Sequence, residues 1–268
     1  MIIDEIIHAA NKRLLSEDYH AHPALSFSRL QKMGTEDNPT PSLGLRGKPI
    51  DEESDALTMG TLLHLLAYEP ERANEIAVRP MSGDRLFASN TKAYGEFLLA
   101  NAGKIIVSPK MMSDAKEILD GMASVPIVRR WHAGTRTICV EGSFFWRDEA
   151  TGVECKIRPD RLAVHQDSRL VNEDLKSCRD PRPSEFRRDA HFREYVRRMA
   201  WYRTGLRAIT DEDSLQVLLV CGKEYRTAAL YMPSEIDLDM AEEENRKALA
   251  RYAGGDEWAS WEKEITVL

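Results

Sequence analysis

The chain has 268 residues, of which 43% are hydrophobic and 30% are charged, and its formal net charge is −7. The length suits one large domain with a sizeable core, and the acidic balance argues against a protein that binds nucleic acid over its whole surface. The sequence has no apolar run of about 18 residues or more, so we expect no membrane span and no membrane partner.

The N-terminal segment MIIDEIIHAANKRLL is apolar but interrupted by acids, and no small-residue cleavage site follows it. These features predict an amphipathic helix instead of a signal peptide, and hence a cytoplasmic protein. The cysteines are too widely spaced for a local CxxC zinc or redox motif, so we expect reduced, buried thiols. They are Cys139, Cys155, Cys178 and Cys221.

The first half of the chain is predicted to be mainly helical. A helix over residues 1–20 is followed by a second helix in HPALSFSRLQKM, for which Ser26 is the predicted N-cap. Residues 34–54 are rich in proline, glycine and acids and predict a loop. The apolar helix that starts at ALTMGTLLHLL is closed or bent by Pro70, and residues 110–131 predict a further helix with a proline near its end.

The second half predicts a sheet. RTICVEGSFFWRD, GVECKIRPDRLAV and SRLVNEDLKSC are rich in β-formers and are separated by EATG and HQD, so they predict three successive antiparallel strands. A long helix over residues 184–208, the strand pair SLQVLLVCGK and RTAALYMP, and an acidic helix from Ser234 follow. We predict one α/β (α+β) domain over residues 1–268, with a helical part (1–131) and a central mixed sheet flanked by helices (132–268).

Three acids are predicted to lie in one row across the three strands. If the hairpin turns centre in EATG and HQD, Glu141 faces Asp160 and Asp160 faces Asp174. Neighbouring acids would then be about 4.8 Å apart. Like charges placed opposite one another destabilise a sheet, so the row needs a compensating cation. Oxygen donors of this kind suit Mg²⁺ or Mn²⁺.

A lysine joins this row. Side chains alternate along a strand, so Asp174 and Lys176 share one face of the sheet and Glu173 points to the other. A metal-bound water can act as a nucleophile, and an ammonium beside it can orient that water and stabilise developing negative charge. The set therefore predicts phosphodiester hydrolysis. The alternative is a row of surface acids with a solvated lysine.

Several segments, in order, carry a resemblance to a known family. They are YHAHPALSFSRL, MGTLLHLLAYEPE with its GxxxH signature, VEGSFFWRDEATGVECKIRPDRL, VNEDLKS and HFREYVRRMAWYRTG. Over residues 19–205 the chain resembles the PD-(D/E)xK nucleases. More narrowly, it resembles the exodeoxyribonuclease VIII (RecE-type) group, which is related to RecB-type nuclease domains and lambda exonuclease. The resemblance implies a restriction-endonuclease-like core.

The resemblance also implies roles for individual residues. It implies two Mg²⁺ or Mn²⁺ ions as cofactors. The implied metal ligands are His64, Glu141, Asp160, Asp174 and the backbone carbonyl of Leu175. The implied catalytic residues are Asp160, Asp174, Lys176 and His64.

Relatives carry QxxxY on the helix after the lysine, and this chain departs from that pattern. Tyr202 stands at the tyrosine position, but Arg198 replaces the glutamine. Arginine binds phosphate more strongly by charge, yet it cannot accept a hydrogen bond. Both residues are implied to contact DNA, with packing as the alternative for Tyr202. Ser26, Ser28 and Arg29 are implied to hold a terminal phosphate near a helix N-terminus.

Charge is distributed unevenly along the C-terminal third. The stretch from Arg179 to Arg207 has nine arginines and four acids, whereas residues 235–264 have a balance of −6. We expect the arginines to give phosphate contacts, which position DNA without reading its sequence, and the acidic segment to face away. The alternative is a solvated charged face.

These features together predict a Mg²⁺-dependent exonuclease that hydrolyses phosphodiester bonds from the ends of double-stranded DNA. The resemblance places it in phage or prophage recombination, where a single-strand annealing protein would take its product. Relatives encircle DNA, so we expect a homo-oligomeric ring. One alternative is a structure- or sequence-specific endonuclease on the same fold. Another is a non-catalytic DNA-binding or assembly protein with a vestigial site.

Overall fold

The computed structural model describes residues 16–31, 55–83 and 85–254. The loop predicted over residues 34–54 lies outside the described residues, as does most of the helix predicted over residues 1–20.

The described residues form helices and strands in an irregular alternation. The helices are α1 (Ser16–Ala21), α2 (Phe27–Leu30), α3 (Asp55–Tyr68), α4 (Lys92–Ala100), α5 (Pro109–Ser124), α6 (Pro126–Ala133), α7 (Pro183–Phe192), α8 (Tyr195–Thr210) and α9 (Glu235–Ala253). The strands are β1 (Ile76–Val78), β2 (Met81–Ser82), β3 (Arg85–Leu86), β4 (Ile105–Val107), β5 (Thr135–Val140), β6 (Phe144–Arg147), β7 (Glu154–Ile157), β8 (Arg161–His165), β9 (Leu170–Cys178), β10 (Ser214–Gly222) and β11 (Thr227–Tyr231).

A five-stranded mixed sheet lies at the centre, in the order β11-β10-β9-β8-β5. Strands β9 and β10 are parallel, and the other pairs are antiparallel. Parallel neighbours need a crossover connection, which α7 and α8 provide between β9 and β10. The predicted mixed sheet flanked by helices is confirmed.

The pleat of β9 and β10 divides the core into two layers. Leu175 and Leu219 pack with residues of α3, α5 and α6 on one face. Cys178 and Val220 pack with residues of α7, α8 and α9 on the other. Because neighbouring side chains alternate between faces, residues of β9 that follow one another in sequence serve different layers.

The predicted meander is interrupted, and this part of the prediction is wrong. The first two predicted strands are each broken, so that β6 and β7 form a separate hairpin while β5 and β8 pair in the central sheet. At the first break Glu141 has a left-handed φ of 48°. At Gly142 a Cβ would lie 2.9 Å from the sulfur of Cys139. At the second break Pro159 has no N–H to donate to a ladder.

Two predicted helices are also divided. The helix over residues 110–131 is α5 and α6, because Pro126 occupies the first helical position of a new helix. The helix over residues 184–208 is α7 and α8, because Glu194 has a left-handed φ of 52°. The apolar helix before Pro70, the β10–β11 pair and the acidic helix after Ser234 are confirmed.

The part before residue 131 also contains strands that the sequence did not predict. β1 and β4 form a short parallel pair, and β2 and β3 form an antiparallel pair. Three of the four cysteines are buried and all are free, as expected. Among the described helices, none combines the length and the apolar character that a membrane crossing requires.

Candidate active site

The predicted register of the acid row is confirmed for the backbone. Arg161 pairs with Glu173 across β8 and β9, which places Asp160 opposite Asp174. The backbone N–H of Glu141 donates to the carbonyl of Asp160 over 3.2 Å. The N–H of Leu175 donates to the carboxylate of Asp160 over 2.9 Å. The two aspartates are therefore fixed at the junction of β8 and β9.

Lys176 supplies positive charge between the two aspartates. Its Nζ lies 2.5 Å from Asp174 and 3.6 Å from Asp160. Burial raises the pKa of Asp160, and His64 and Lys176 offset this only in part. Burial acts in the same direction on Asp174, but there Lys176 and Arg198 outweigh it and hold the pKa below its ordinary value. Burial opposes the charge of Lys176, yet Asp174 and Asp160 raise its pKa. The ammonium therefore stays charged beside an ionised carboxylate.

His64 approaches the same site from α3. Its Nε2 donates to the carbonyl of Leu175 over 2.9 Å, and its Nδ1 lies 3.5 Å from the carboxylate of Asp160. At Gly60, one turn earlier, an added Cβ would have no atom within 4 Å. The predicted placement of His64 beside the acids is confirmed, and its function stays a prediction.

Glu141 differs from the other acids in its side-chain partner. Its carboxylate accepts from two nitrogens of Arg158, at 3.0 and 3.2 Å, instead of facing the aspartates. The backbone of Glu141 is in the predicted row, but the arginine takes up its charge. Its role as a metal ligand stays a prediction, and it requires that the carboxylate of Glu141 leave Arg158 and turn to the metal ion.

The donor chemistry of the site fits a divalent ion. Two carboxylates, from Asp160 and Asp174, and the carbonyl of Leu175 are the oxygen donors that Mg²⁺ or Mn²⁺ takes, and His64 adds an imidazole. Within residues 16–31, 55–83 and 85–254, however, no three His, Cys, Asp or Glu side chains are grouped so that they could hold a metal ion. The ammonium of Lys176 now occupies the space between the carboxylates, so an ion held by both would have to displace it.

A buried glutamate supports the site from the opposite face, as the alternation of β9 predicts. Glu173 is fully buried. One of its oxygens accepts from Tyr68 over 2.8 Å and contacts His132 at 3.2 Å. The other accepts from Trp131 over 2.5 Å and from Arg161 over 3.0 Å. Burial alone would raise its pKa, but His132, Arg161 and Trp131 lower it below the ordinary value.

This network ties together the elements that carry the site. Tyr68 lies one turn after His64 on α3, and Arg161 directly follows Asp160. Glu173 itself directly precedes Asp174. Sequence reasoning placed Glu173 on the far face but missed its partners. For Tyr68 the sequence held a signal, because Tyr68 lies four residues after His64 and therefore on the same side of the helix.

Arg198 and Tyr202 lie on α8, one turn apart, beside the acids. Burial opposes the charge of Arg198, but Asp174, Tyr202 and Asp160 outweigh it and raise its pKa. Its guanidinium lies 5.8 Å from the ring centre of Phe27 and has no ion pair within 4 Å among the described residues. The hydroxyl of Tyr202 donates to the carbonyl of Arg158 over 3.0 Å. Tyr202 thus has a packing role whether or not it contacts DNA.

The segment that contains Ser26, Ser28 and Arg29 is attached to β7. Leu25 bridges Cys155 in parallel. The two serine hydroxyls lie 3.0 Å apart, and Arg29 donates to the carbonyl of Pro23 over 3.0 Å. Ser26 is the N-cap of α2, but its side chain makes no capping hydrogen bond. Phe27 places this segment next to Arg198, and phosphate binding there stays a prediction.

Most of the arginine-rich stretch is neutralised within the chain. Arg203 is 2% exposed in its side chain and pairs with Glu235, Asp239 and Glu242 of α9. Arg207 also pairs with Glu242. Further ion pairs involve Arg179, Arg182 and Arg197. Within the described part of the chain, the arginines of this stretch that lack an ion pair are Arg187, Arg188, Arg193 and Arg198.

Comparisons with known proteins bear on the family and the fold of the chain. The sequence model of a family described as a "PDDEXK-like domain of unknown function" matches residues 26–254. Curated proteins gave no match to the chain. A solved structure from Eubacterium rectale, described as a "putative exonuclease", is similar with a TM-score of 0.54 and 16% identity, and the match covers 95% of each chain. At that identity the likeness concerns the fold.

Proposed function

The chain belongs to the family of PDDEXK-like domains, and from that membership we propose that it is a Mg²⁺-dependent exodeoxyribonuclease acting on the ends of duplex DNA. Family and fold support a nuclease. The description of the Eubacterium rectale protein supports the choice of an exonuclease for this chain. The observation that carries the proposal is the set of Asp160, Asp174 and Lys176 at one strand junction, with His64 against it.

The residues of the chain have distinct tasks in this reaction. A divalent ion, when bound, lowers the pKa of its water and offsets charge on the phosphate. Asp160 is held in place for ion binding by the N–H of Leu175. Lys176, once it leaves Asp174, stabilises the negative charge that develops on the phosphate. The guanidinium of Arg198 has no acid within 4 Å among the described residues. It is therefore free to bind a phosphate of the DNA strand that is cleaved.

A digestion of linear DNA tests the proposal. End-labelled linear duplex, with and without a 5′-phosphate, is incubated with Mg²⁺ or with EDTA, beside covalently closed circular duplex. We expect label release from the linear DNA in Mg²⁺ only, and no cutting of the circle. The Asp174→Asn variant serves as the control for a contaminating nuclease.

The alternatives predict other outcomes of the same experiment. Cutting of the circle by the wild type, absent in Asp174→Asn, would indicate an endonuclease. If neither DNA is hydrolysed in Mg²⁺ or Mn²⁺, the protein is a non-catalytic DNA-binding or assembly protein.

The wider setting is also part of the proposal. We place the protein in the cytoplasm, in phage- or prophage-type recombination, where its single-stranded product passes to an annealing protein. A homo-oligomeric ring with a central channel would keep an acidic chain on its DNA by geometry instead of by affinity. Light scattering tests the ring, because a particle of 30.5 kDa at working concentration would contradict it.

A further inference from the structure

A cleft of about 530 Å³ opens beside Lys176. Ser177 and Cys178 of β9 line it, together with residues of α3, α5, α7 and the turn between β10 and β11. It therefore lies at the carboxyl ends of the parallel strands β9 and β10, which is where ligands bind in open sheets flanked by helices. The volume falls within the usual range of small-molecule sites and is far too small for a DNA duplex.

Tyr195 connects the cleft with the acid pair. Tyr195 lines the cleft, and its ring centre lies 5.9 Å from the Nζ of Lys176. A chain-like ligand in the cleft could therefore extend to the catalytic carboxylates.

The lining of the cleft is positively charged although the chain is acidic. Five basic and three acidic side chains line it, which gives the lining a net charge of +2. Lys110 is paired with Asp114, and Arg179 with Glu224. Arg226, the third paired cation, lies 3.2 Å from Asp114.

Two cations of the lining remain available. Arg193 and Lys223 have no ion pair with any described residue within 4 Å. Arg193 is exposed at the corner between α7 and α8, and Lys223 is half-buried in the turn after β10. One acid, Asp189, also faces the cleft without a cation partner within 4 Å among the described residues. The free cations therefore exceed the free acid by one charge, and the whole lining carries +2, which favours an anionic ligand.

An exposed aromatic residue lies next in sequence to a cation that lines the cleft. Phe192 is 85% exposed and directly precedes Arg193. The corner that presents both residues is formed by Glu194, whose left-handed φ of 52° is unusual for a residue other than glycine. A single exposed apolar residue is ordinary, but a free cation and a cleft beside it are what single-stranded DNA requires, because bases stack on aromatic rings while cations contact phosphates.

We propose that this cleft binds single-stranded DNA next to the scissile phosphate. Arg193 and Lys223 contact the phosphates of the strand, and Phe192, which directly precedes Arg193, stacks on a base. The proposal rests on the nuclease function proposed above. It adds that the strand inside the cleft is separated from its complement, because the cleft excludes a duplex.

Fluorescence anisotropy tests this subsite on the intact protein. Binding is measured in Ca²⁺, which is expected to prevent cleavage, with a duplex that carries a single-stranded overhang and with a blunt duplex. We expect Phe192→Ala to weaken binding of the overhang DNA about tenfold and to leave the blunt duplex unchanged. The double variant Arg193→Gln, Lys223→Gln should weaken overhang binding and lower the salt slope by about 1.4 units.

Matched controls and a competitor make the result decisive. Leu99→Ala removes another exposed apolar side chain, and Arg246→Gln removes an exposed cation outside the cleft. Neither should change overhang binding. Equal weakening of both DNAs by Phe192→Ala would overturn the proposal. Cleft variants that bind the overhang DNA normally would also overturn it. A mononucleotide is added as a competitor in the same assay. If the variants lose only the competition by this mononucleotide, the cleft is a product site and the proposal fails.

The digestion assay keeps the two proposals separable. If the wild type releases label from linear DNA but the cleft variants bind the overhang like the wild type, the nuclease function stands and the subsite fails. If the wild type hydrolyses no DNA, the nuclease function fails, and the subsite, which rests on it, fails with it.

Discussion

Replacing Glu173 by glutamine should destabilise the protein strongly. The side chain keeps its size, so the effect comes from hydrogen bonding and charge. Each carboxylate oxygen faces two partners, Tyr68 and His132 on one and Trp131 and Arg161 on the other. An amide replaces one of these acceptors with an NH₂ group, which then faces donors. It also leaves the buried Arg161 without its counter-charge.

The expected cost is a large part of the stability of a domain. Removing one partner of a buried ion pair costs about 3–5 kcal/mol. The whole free energy of unfolding is about 5–15 kcal/mol. Glu173→Gln should therefore shift the urea midpoint far below that of the wild type. Because the slope of the transition reports exposed surface, an unchanged slope would show that stability alone has changed.

Glu243→Gln is the matched control for this measurement. Glu243 is exposed and pairs with Arg246 at 2.6 Å on α9. Exposed ion pairs add little to stability, so its urea midpoint should stay that of the wild type. A loss of less than about 1 kcal/mol in Glu173→Gln, well below the cost of breaking a buried pair, would refute the view that this network supports the site.

Other predictions concern the reaction and DNA binding. Lys176→Ala should lower kcat by about 10² or more while DNA binding in Ca²⁺ stays normal; Lys176→Arg should also be impaired, since a planar fork replaces a compact ammonium poorly. Asp174→Asn should abolish cleavage and should not stabilise the fold, because it removes the partner of Lys176. Arg198→Glu should weaken DNA binding and reduce its salt slope by about one unit, whereas Glu243→Lys should do neither. Tyr202→Phe should cost about 1 kcal/mol in a urea titration for the lost hydrogen bond, and unaltered DNA affinity would assign it to packing.

The register of the site was predictable because it depends on local rules. Short turns and the two-residue period of strands suffice to place Asp160 opposite Asp174 and Glu173 on the far face. The boundary between α5 and α6 was missed although Pro126 marks it, since a proline favours the first position of a new helix. These features depend on neighbours in sequence.

The remaining features depend on contacts across the chain. Glu141 was predicted to face a metal, but Arg158, which lies seventeen positions away, takes its carboxylate. Nothing in the sequence marks Glu194 as left-handed, because glycine is the usual residue there. The parallel pair of β1 and β4 has three residues in each strand, too few for a pattern to emerge. Tertiary packing decides such cases.

If the chain binds DNA as proposed, the position of α9 limits the side from which the DNA can approach. The carboxylates of Glu235, Asp239 and Glu242 meet Arg203 on the back of α8, where they take the place that phosphates would otherwise occupy. The acids of α9 therefore neutralise the arginine on that face. A polyanion would be repelled there and attracted to the arginines that lack an ion pair among the described residues, which are Arg187, Arg188, Arg193 and Arg198. For the proposed nuclease, this distribution of charge would orient an encounter with DNA before any contact forms, although the net charge of the chain is negative.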